Sequence, residues 1–326
     1  MVSDKVTAVT FATPVQELLP RVETRMHEIA NTYHRDLHEA LVHILASGGK
    51  RIRPVVNLLM GGALGAEVDR LVTSAAAIEM LHTATLVHDD LIDGSLLRRG
   101  MPTLNASWTP AKTVLTGDLI FSYAAVLAAE TDSVRVMHLF ADTLATIVNG
   151  EITQQFNSQG PASKEDYYRR IHAKTASLFE AAATAAAYLS PVDEDMIDAV
   201  RRYGYEIGMA FQIVDDVIDF AGNQDMVGKP IGSDLRQGLI TLPALYYFEQ
   251  NSEDISIAAA INGETLNGAD LEKLVKAIRE SNAIEESMKK AREFVERSLT
   301  FLHVLPDVVE KRALEELASY VVNRLR

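Results

Sequence analysis

Apolar residues recur at steps of three and four along almost the whole chain, and this spacing constrains the fold more than any other feature. One stretch illustrates it with Leu71, Ala75, Ile78 and Leu81. The period is that of an α-helix, whereas alternating strand patterns are scarce. Long helices are predicted over residues 66–93, 110–131, 133–157, 163–190 and 192–221. Several are apolar on every side, which is typical of helices buried inside a bundle.

Glycine and proline clusters mark the turns between the predicted helices. They occur at Ser47-Gly48-Gly49, Gly94 to Pro102, Gly160-Pro161, Ser190-Pro191, Gly222 to Gly238 and Leu305-Pro306. The polar stretch from Asn251 to Asp270 is predicted to be a surface excursion. Because no fixed repeat and no proline- or serine-rich linker divides the sequence, we predict one all-α domain over residues 1–326.

Charge and composition exclude several classes of function. A formal net charge of −14 argues against nucleic acid as a partner, since a basic surface is the usual footprint for that partner. The absence of cysteine rules out disulfides and thiolate metal sites. No run reaches the ~18 unbroken apolar residues that span a bilayer, and the N-terminus lacks a signal-peptide pattern. A cytoplasmic protein without a transmembrane segment is therefore expected.

A first acidic cluster follows an apolar run in the segment LVHDDLID, residues 86–93. On a helix, Asp89 and Asp93 lie one above the other, with Asp90 beside them. Three carboxylates at the end of a buried helix repel one another and lose hydration, and a bound cation relieves both penalties. Oxygen ligands with room for water and phosphate suit Mg²⁺. For one cluster alone, a solvated helix end is an almost equally good explanation.

The same DDxxD pattern returns with Asp215, Asp216 and Asp219, again after an apolar helical run. Repetition favours a function, because two such clusters can face each other across one cavity and hold a diphosphate between metal ions. Metal ions make a diphosphate a better leaving group. An apolar cavity below them would accept a hydrocarbon. The two clusters together predict isoprenoid chemistry.

Basic residues that could complete a diphosphate site lie in short segments. The segment GGKRIRP, residues 48–54, places three cations at a glycine-rich helix start, where the backbone can approach a phosphate. The pair Arg98-Arg99 follows the first acidic cluster, and arginine suits bidentate phosphate contacts. Lys174-Thr175 and Gly228-Lys229 are weak signals individually and gain value as members of this set.

In this order, GGKRIRP, HTATLVHDDLIDGSLLRRG, AFQIVDDVIDFAG and GKPIGSDLRQG resemble the trans-isoprenyl diphosphate synthases, the polyprenyl synthetase family, and in particular its long-chain members. The resemblance extends from about Ala46 to about Leu245. It implies the isoprenoid synthase fold, which is a bundle of long antiparallel helices around a deep central cavity, and a homodimer. It also implies the head-to-tail addition of isopentenyl diphosphate to an allylic diphosphate.

The resemblance assigns roles to the matching positions. Three Mg²⁺ ions would be held by Asp89, Asp90, Asp93, Asp215, Asp216 and Asp219. The allylic diphosphate would be held by Arg98, Lys174, Gln212 and Lys229, and Thr175 would also bind substrate. Isopentenyl diphosphate would be held by the backbone of Gly49 and by Lys50, Arg53, His82 and Arg99. The catalytic set would be Asp89, Asp90, Asp93, Lys174, Asp215 and Asp216, with the departing diphosphate as the base.

One position departs from the family pattern. Where the family often has a lysine, in Gly-Lys-x-Thr-Leu-Pro, this chain has Leu239 in GLITLP. The other basic contacts remain, so we expect altered affinity for the allylic substrate rather than loss of activity. An unchanged affinity in Leu239→Lys would contradict this expectation.

Product length is predicted from the residues just before the first acidic cluster. Ala84 and Thr85 are small, whereas family members that make farnesyl diphosphate commonly carry an aromatic floor there. A long-chain product is therefore favoured. Alternatively, Met80, Leu81 or a residue of a neighbouring helix or subunit closes the tunnel lower down. The product would then be geranylgeranyl or farnesyl diphosphate.

Two other classes of protein share part of the pattern. A class I terpene cyclase also begins with DDxxD, but its second metal motif mixes other residues, and it has no need of GGKRIRP. A non-catalytic subunit of a heteromeric synthase tends to lose carboxylates, whereas this chain keeps all six. A linear prenyltransferase remains the favoured interpretation.

Overall fold

The computed structural model describes residues 10–29, 35–46, 49–98, 100–156, 163–221, 231–251 and 268–324. In chain order, its α-helices are α1 (Leu19–His27), α2 (Arg35–Ala46), α3 (Ile52–Leu64), α4 (Val68–Ile92), α5 (Leu104–Ser107), α6 (Pro110–Glu130), α7 (Val134–Phe156), α8 (Lys164–Ile171), α9 (Ser177–Tyr188), α10 (Glu194–Ala221), α11 (Ser233–Arg236), α12 (Leu242–Gln250), α13 (Gly268–Glu280), α14 (Ala283–Phe301) and α15 (Val309–Asn323). Two 3-10 turns are Thr10–Val15 and Leu302–Val304. The all-α prediction is confirmed, and four of the five predicted long helices match α4, α6, α7 and α10 within two residues at each end.

The strands described consist of one short hairpin, β1 (Leu97–Arg98) and β2 (Met101–Pro102), which pair antiparallel. The hairpin lies within the predicted break from Gly94 to Pro102. Gly100 sits at its turn with φ +76°, a left-handed conformation that glycine adopts without steric cost. The hairpin brings Arg98 back towards the end of α4.

The chain divides into two compact units. Unit 1 comprises residues 1–144, 178–201 and 302–317, and unit 2 comprises residues 145–177, 202–301 and 318–326. The single domain over residues 1–326 stays a prediction.

Helix α4 is the central element of unit 1, where it packs against α1, α3 and α6. Its start is fixed by Glu67, whose carboxylate accepts hydrogen bonds from the backbone N–H groups of Asp69 and Arg70, both at 2.9 Å. Such a cap satisfies N–H groups that have no partner within the helix. Ala75, Ala76 and many neighbouring side chains on α4 are buried. The helix thus delivers the first acidic cluster from the interior of the unit.

In unit 2, α12 and α13 both pack against α14, and the C-terminal half of α10 is buried. The predicted helix over residues 163–190 is interrupted in this unit, because a π-helical turn, His172–Ala176, separates α8 from α9. Helix α10 can approach the π turn closely because residue 208 is glycine. A Cβ at this position would lie 2.5 Å from the Cα of Ala176. A π turn inside a helix is often a functional feature.

Helix α6 is long and apolar enough to cross a membrane by length and composition alone. Core helices of soluble proteins pass the same test, so this is weak evidence for a membrane span. In unit 1 this helix packs along α4.

Candidate active site

The first acidic cluster lies at the C-terminal end of α4. Asp90 is 7% exposed, Asp89 is half-buried, and Asp93 is exposed just beyond the last helical residue. Arg98 from the hairpin donates from Nε to both carboxylate oxygens of Asp90, at 3.0 and 2.9 Å, and its Nη2 lies 2.8 Å from Oδ1. The buried carboxylate therefore faces a full positive charge. Arg98, predicted to hold the allylic diphosphate, here pairs with a predicted metal ligand.

His88 stands beside this cluster and packs against α6. Its Nε2 is 3.2 Å from the carbonyl oxygen of Val114 and 3.5 Å from Oδ1 of Asp118. A Cβ at Gly117 would lie 2.2 Å from the same nitrogen, so the helices can approach this closely only because residue 117 is glycine. His88 thus bridges α4 and α6.

The predicted isopentenyl diphosphate residues surround the start of α3. Lys50 is exposed, and Arg53 is half-buried with its guanidinium carbon 4.8 Å from the ring centroid of Phe179. His82 lies on α4 and lines a cavity of about 60 Å³ together with Asp90 and Arg98. Three predicted site residues therefore meet in one cavity of unit 1.

The same cavity is also lined by His43 and Glu79, which no sequence motif indicated, and by Arg51, a cation of the GGKRIRP segment to which no ligand was assigned. His43 Nε2 lies 3.0 Å from the carbonyl oxygen of Pro102. Arg51 Nη1 donates to Oε1 of Glu79 at 2.8 Å. One sequence signal could have found Glu79, because it is the only acidic residue between Leu71 and Val87, in a helix that is otherwise mostly apolar.

In the second acidic cluster, Asp216 of α10 is 3% exposed and is held by neutral donors. The hydroxyl of Tyr167 donates to Oδ2 at 2.6 Å, and Nε2 of Gln212 donates to Oδ1 at 2.8 Å. Thr175, from the π turn, donates to Oε1 of Gln212 at 2.6 Å. Three predicted site residues, Thr175, Gln212 and Asp216, are joined in one network with the unpredicted Tyr167.

Burial is the largest cause that raises the pKa of the Asp216 carboxyl, and the nearby charge of Asp234 acts in the same direction; the net pKa is about 7. The hydrogen bonds from Tyr167 and Gln212, and the charge of Arg170, lower the same pKa. Burial also lowers the pKa of Arg170, whose Nη2 donates to the carbonyl oxygen of Ile240 at 2.6 Å. Desolvation of Asp216 outweighs these compensating contacts, so the site favours a proton or a cation on this carboxylate.

The other two members of this cluster have different partners. Arg324, near the C-terminus, donates to Oδ1 of Asp215 at 2.7 Å and to the carbonyl oxygen of Phe211 at 2.8 Å. Its guanidinium carbon stacks 3.9 Å from the ring centroid of Phe211. The carboxylate of Asp219 accepts hydrogen bonds from the backbone N–H groups of Ser233 and Asp234, at 3.1 and 3.3 Å. Asp219 thereby anchors α11.

The remaining predicted residues are placed as follows. Lys174, in the π turn, lies 3.3 Å from Oε2 of Glu151. Leu239 is half-buried, and its backbone N–H donates to the carbonyl oxygen of Asp234 at 2.9 Å. Arg99 and Lys229 lie outside the described residues, so their predicted roles stay predictions.

The predicted chain-length residues lie about one to three turns before Asp90 on α4. Ala84 and Met80 are fully buried, and Thr85 is half-buried with its hydroxyl donating to the carbonyl oxygen of His82. A small apolar cavity of unit 1 lies further towards the start of α4, between α4, α6, α7 and α9. It is lined by residues that include Leu81, Ala77 and Phe140. Of the four predicted residues, only Leu81 lines this cavity.

Among the described residues, no three acidic, histidine or cysteine side chains converge closely enough to hold a metal ion by themselves. The donor set still fits Mg²⁺, which usually takes one or two carboxylates and completes its octahedron with water and substrate phosphate. The buried carboxylate of Asp216 fits particularly well, because a cation would remove the penalty that raises its pKa.

A helical fold with two aspartate clusters, each at the end of a buried helix, is the architecture of the isoprenoid synthases. The polyprenyl synthetase family model matches residues 34–278. Heptaprenyl diphosphate synthase component 2 of Geobacillus stearothermophilus is 35% identical over 309 residues, which cover 94% of this chain and 95% of the relative. Octaprenyl diphosphate synthase of Escherichia coli K12 is 36% identical over 286 residues, which cover 87% and 88%.

A solved structure has the same fold. The polyprenyl synthase of Caulobacter crescentus CB15, crystallised with calcium and isoprenyl diphosphate, superposes with a TM-score of 0.90 at 33% identity, covering 97% of each chain. The chain belongs to the polyprenyl synthetase family, and the resemblance in its motifs is confirmed.

Proposed function

We propose that this chain is a trans-prenyltransferase that adds isopentenyl diphosphate units head-to-tail to an allylic diphosphate and releases a linear, all-trans, long-chain polyprenyl diphosphate. The observation that carries the proposal is the cavity in unit 1 where His82, Asp90 and Arg98 meet. These residues are the ones predicted, respectively, to bind isopentenyl diphosphate, a metal ion and the allylic diphosphate. The names of the heptaprenyl and octaprenyl relatives support the substrate class and the long product.

The proposed cofactor is Mg²⁺, with three ions per site as the family resemblance implies. The residues proposed to hold these ions are Asp89, Asp90, Asp93, Asp215, Asp216 and Asp219. When bound, Mg²⁺ supplies Lewis-acid stabilisation of the departing diphosphate. Asp219 is already engaged by two backbone N–H groups. Its proposed contribution is therefore the weakest of the six.

The reaction balances without a dedicated protein base. The allylic C–O bond breaks and leaves an allylic cation and diphosphate. The double bond of isopentenyl diphosphate attacks the cation, and the departing diphosphate takes the proton that is then lost. Lys50, Arg53 and His82 are proposed to orient isopentenyl diphosphate, while Lys174, Thr175 and Gln212 orient the allylic diphosphate. Burial of the hydrocarbon keeps water away from the cation.

The growing chain is proposed to run along α4, past Ala84 and Thr85. Neither residue carries a ring that would close such a path, and Leu81 leads to the apolar cavity that Phe140 also lines. Phenylalanine at position 84 or 85 should therefore shorten the product. Thr85→Phe covers the case in which Ala84→Phe does not fold, because Thr85 is only half-buried. An unchanged product distribution in both variants would contradict the proposal that the side chains at positions 84 and 85 set the product length.

The proposed assembly is a homodimer in the cytoplasm. In unit 1, α6 exposes Val114, Leu115 and Val126, and Val134 at the start of α7 is 76% exposed. These exposed apolar side chains are the basis for proposing a protein–protein interface in this unit. Sedimentation equilibrium should give twice the chain mass, and Leu115→Glu should weaken the dimer. A monomeric wild-type protein would contradict this proposal.

Two alternatives are decided by one assay. One alternative is a non-catalytic subunit of a heteromeric synthase, and the name of the relative called component 2 points to an enzyme of more than one component. The other alternative is a terpene cyclase. Purified wild-type chain should convert labelled isopentenyl diphosphate and farnesyl diphosphate into solvent-extractable product when Mg²⁺ is present, and a chelator should abolish this turnover. Turnover without added subunit excludes the non-catalytic role. A cyclic hydrocarbon, or no turnover, would contradict the proposed function.

A further inference from the structure

Arg51 has an unusual backbone conformation at the start of α3. Its φ of 46° and ψ of 37° are left-handed, and no side chain caps the helix there. Among the described non-glycine residues, only Asp132 shares a positive φ. A residue with a Cβ adopts this conformation at a cost in free energy, so the surrounding structure must hold it in place.

The guanidinium of Arg51 provides the contacts that hold it. Nη1 donates to Oε1 of Glu79 at 2.8 Å, and Nη2 donates to the carbonyl oxygen of Leu45 at 3.1 Å. Nε lies 3.6 Å from Oε1 of Glu23. The side chains of Arg51 and Glu79 are only 13% and 7% exposed. One guanidinium therefore ties α1, the last turn of α2 and α4 to the start of α3.

The ion pair joins the two segments that carry the groups proposed to bind isopentenyl diphosphate. Arg51 follows Lys50 directly and precedes Arg53 by two residues. Glu79 precedes His82 by three residues on α4, so both side chains project from nearby positions on that helix. Arg51, Glu79 and His82 all line the same cavity.

We propose that Arg51 is a positioning residue for the isopentenyl diphosphate site. Its buried ion pair with Glu79 fixes residues 49–53 against α4, so that Lys50 and Arg53 act on the same diphosphate as His82. The inference rests on the proposed function, which assigns those three residues to isopentenyl diphosphate. It adds that the strained backbone of Arg51 and its buried ion pair with Glu79 position the site together. Loss of either partner also leaves an uncompensated buried charge.

Binding of isopentenyl diphosphate tests this directly, because that substrate does not react without an allylic partner. Calorimetry gives its Kd, and steady-state assays give separate KM values for the two substrates. Glu79→Gln keeps the side-chain shape and removes the charge. Arg51→Ala removes the guanidinium, Arg51→Gly also removes the backbone strain, and Arg51→Lys keeps the charge. Arg135→Ala is the matched control, because Arg135 forms a bidentate pair with Glu194 on the surface of the same unit.

We expect Glu79→Gln and Arg51→Ala to raise the Kd and KM for isopentenyl diphosphate by about tenfold or more, since small misplacements of binding groups are costly. The KM for the allylic substrate should stay within about twofold, because its proposed ligands are other residues. Arg51→Gly should be milder than Arg51→Ala, because glycine adopts the left-handed conformation freely. Arg51→Lys should recover part of the loss, and Arg135→Ala should change neither constant.

An unchanged Kd for isopentenyl diphosphate in Glu79→Gln would overturn the inference. An equal rise in both KM values would also overturn it, because that pattern indicates general structural damage. If Arg51→Ala does not fold, the nearly isosteric Glu79→Gln carries the test. If the wild-type protein turns over both substrates while Glu79→Gln behaves like it, only this inference fails. If the wild-type protein shows no turnover, the proposed function itself fails.

Discussion

Asp90 and Asp216 occupy the same position in two copies of one sequence pattern, and both are almost fully buried. Asp90 faces the guanidinium of Arg98, which contacts both of its carboxylate oxygens. Asp216 receives its hydrogen bonds from the neutral groups of Tyr167 and Gln212. The same DDxxD letters therefore encode one carboxylate paired directly with a guanidinium and one that neutral groups hold, whose charge the nearby Arg170 compensates only in part. A cation gains more by binding the second.

The largest expected effect is common to both clusters. Asp90→Asn and Asp216→Asn should each lower kcat by on the order of 10³-fold, because each removes a charge proposed to hold the metal that stabilises the departing diphosphate. Asp307→Asn is the matched control, since Asp307 forms an exposed pair with Arg312, and it should retain full activity. Single-turnover rates measure the effect. If either variant of the clusters kept more than about a tenth of kcat, its cluster would have no role in metal binding.

The second prediction concerns the free energy of unfolding, measured in the presence of a chelator, and it distinguishes variants of the two clusters. The pKa of Asp216 is raised from 3.8 to about 7. The folded protein therefore holds the proton on Asp216 more tightly than the unfolded chain does. The resulting contribution to the free energy of unfolding is fully present below about pH 4. It is lost as the pH rises through about 7, which lowers the free energy of unfolding by on the order of a few kcal/mol. Asp216→Asn removes that cost and should raise the free energy of unfolding at about pH 8, with the difference shrinking towards about pH 4.

Asp90→Asn should have the opposite sign in the same measurement, because it leaves Arg98 without the carboxylate that it contacts. The effect should be smaller, since the Arg98 side chain is 34% exposed and water can replace part of the interaction. Urea unfolding at the two pH values measures both variants. Equal destabilisation by both variants at the higher pH would contradict the difference described between Asp90 and Asp216.

The smallest expected effect concerns Asp215. Arg324 pairs with it through a side chain that is 9% exposed, so a cation must compete with this guanidinium. Arg324→Gln should therefore tighten Mg²⁺ binding, by no more than about fivefold, the usual limit for a partly exposed pair. Titration of Mn²⁺ followed by its electron paramagnetic resonance signal measures this without turnover. Arg312→Gln is the control, and weaker binding in Arg324→Gln would contradict the competition.

The sequence predicted the helices and the acidic residues well because both depend on local patterns. The apolar period located α4, α6, α7 and α10, and the carboxylates follow directly from the DDxxD letters. The π turn escaped prediction because the apolar spacing of residues 163–190 continues through it. The close approach of Gly208 to Ala176 in the π turn is a contact between distant residues, which local spacing does not reveal.

Pairings between distant residues could not be predicted. Arg324 and Asp215 are 109 positions apart, and Tyr167 and Asp216 are 49 apart. No spacing rule joins such residues, because the fold alone brings them together. Glu79 is an intermediate case, since an acidic residue in a mostly apolar helix segment signals a buried partner without identifying Arg51.

Product length is the measurement that tests the account most directly. Purified wild-type protein, Mg²⁺, isopentenyl diphosphate and farnesyl diphosphate should give a product that, after removal of the diphosphate, migrates on reversed-phase chromatography as a linear heptaprenyl or longer alcohol. That result would support both the chemistry assigned to the two aspartate clusters and the path proposed for the growing chain past Ala84 and Thr85. A product that stops at geranylgeranyl would contradict the proposed path, and a cyclic hydrocarbon or no product would contradict the prenyltransferase itself.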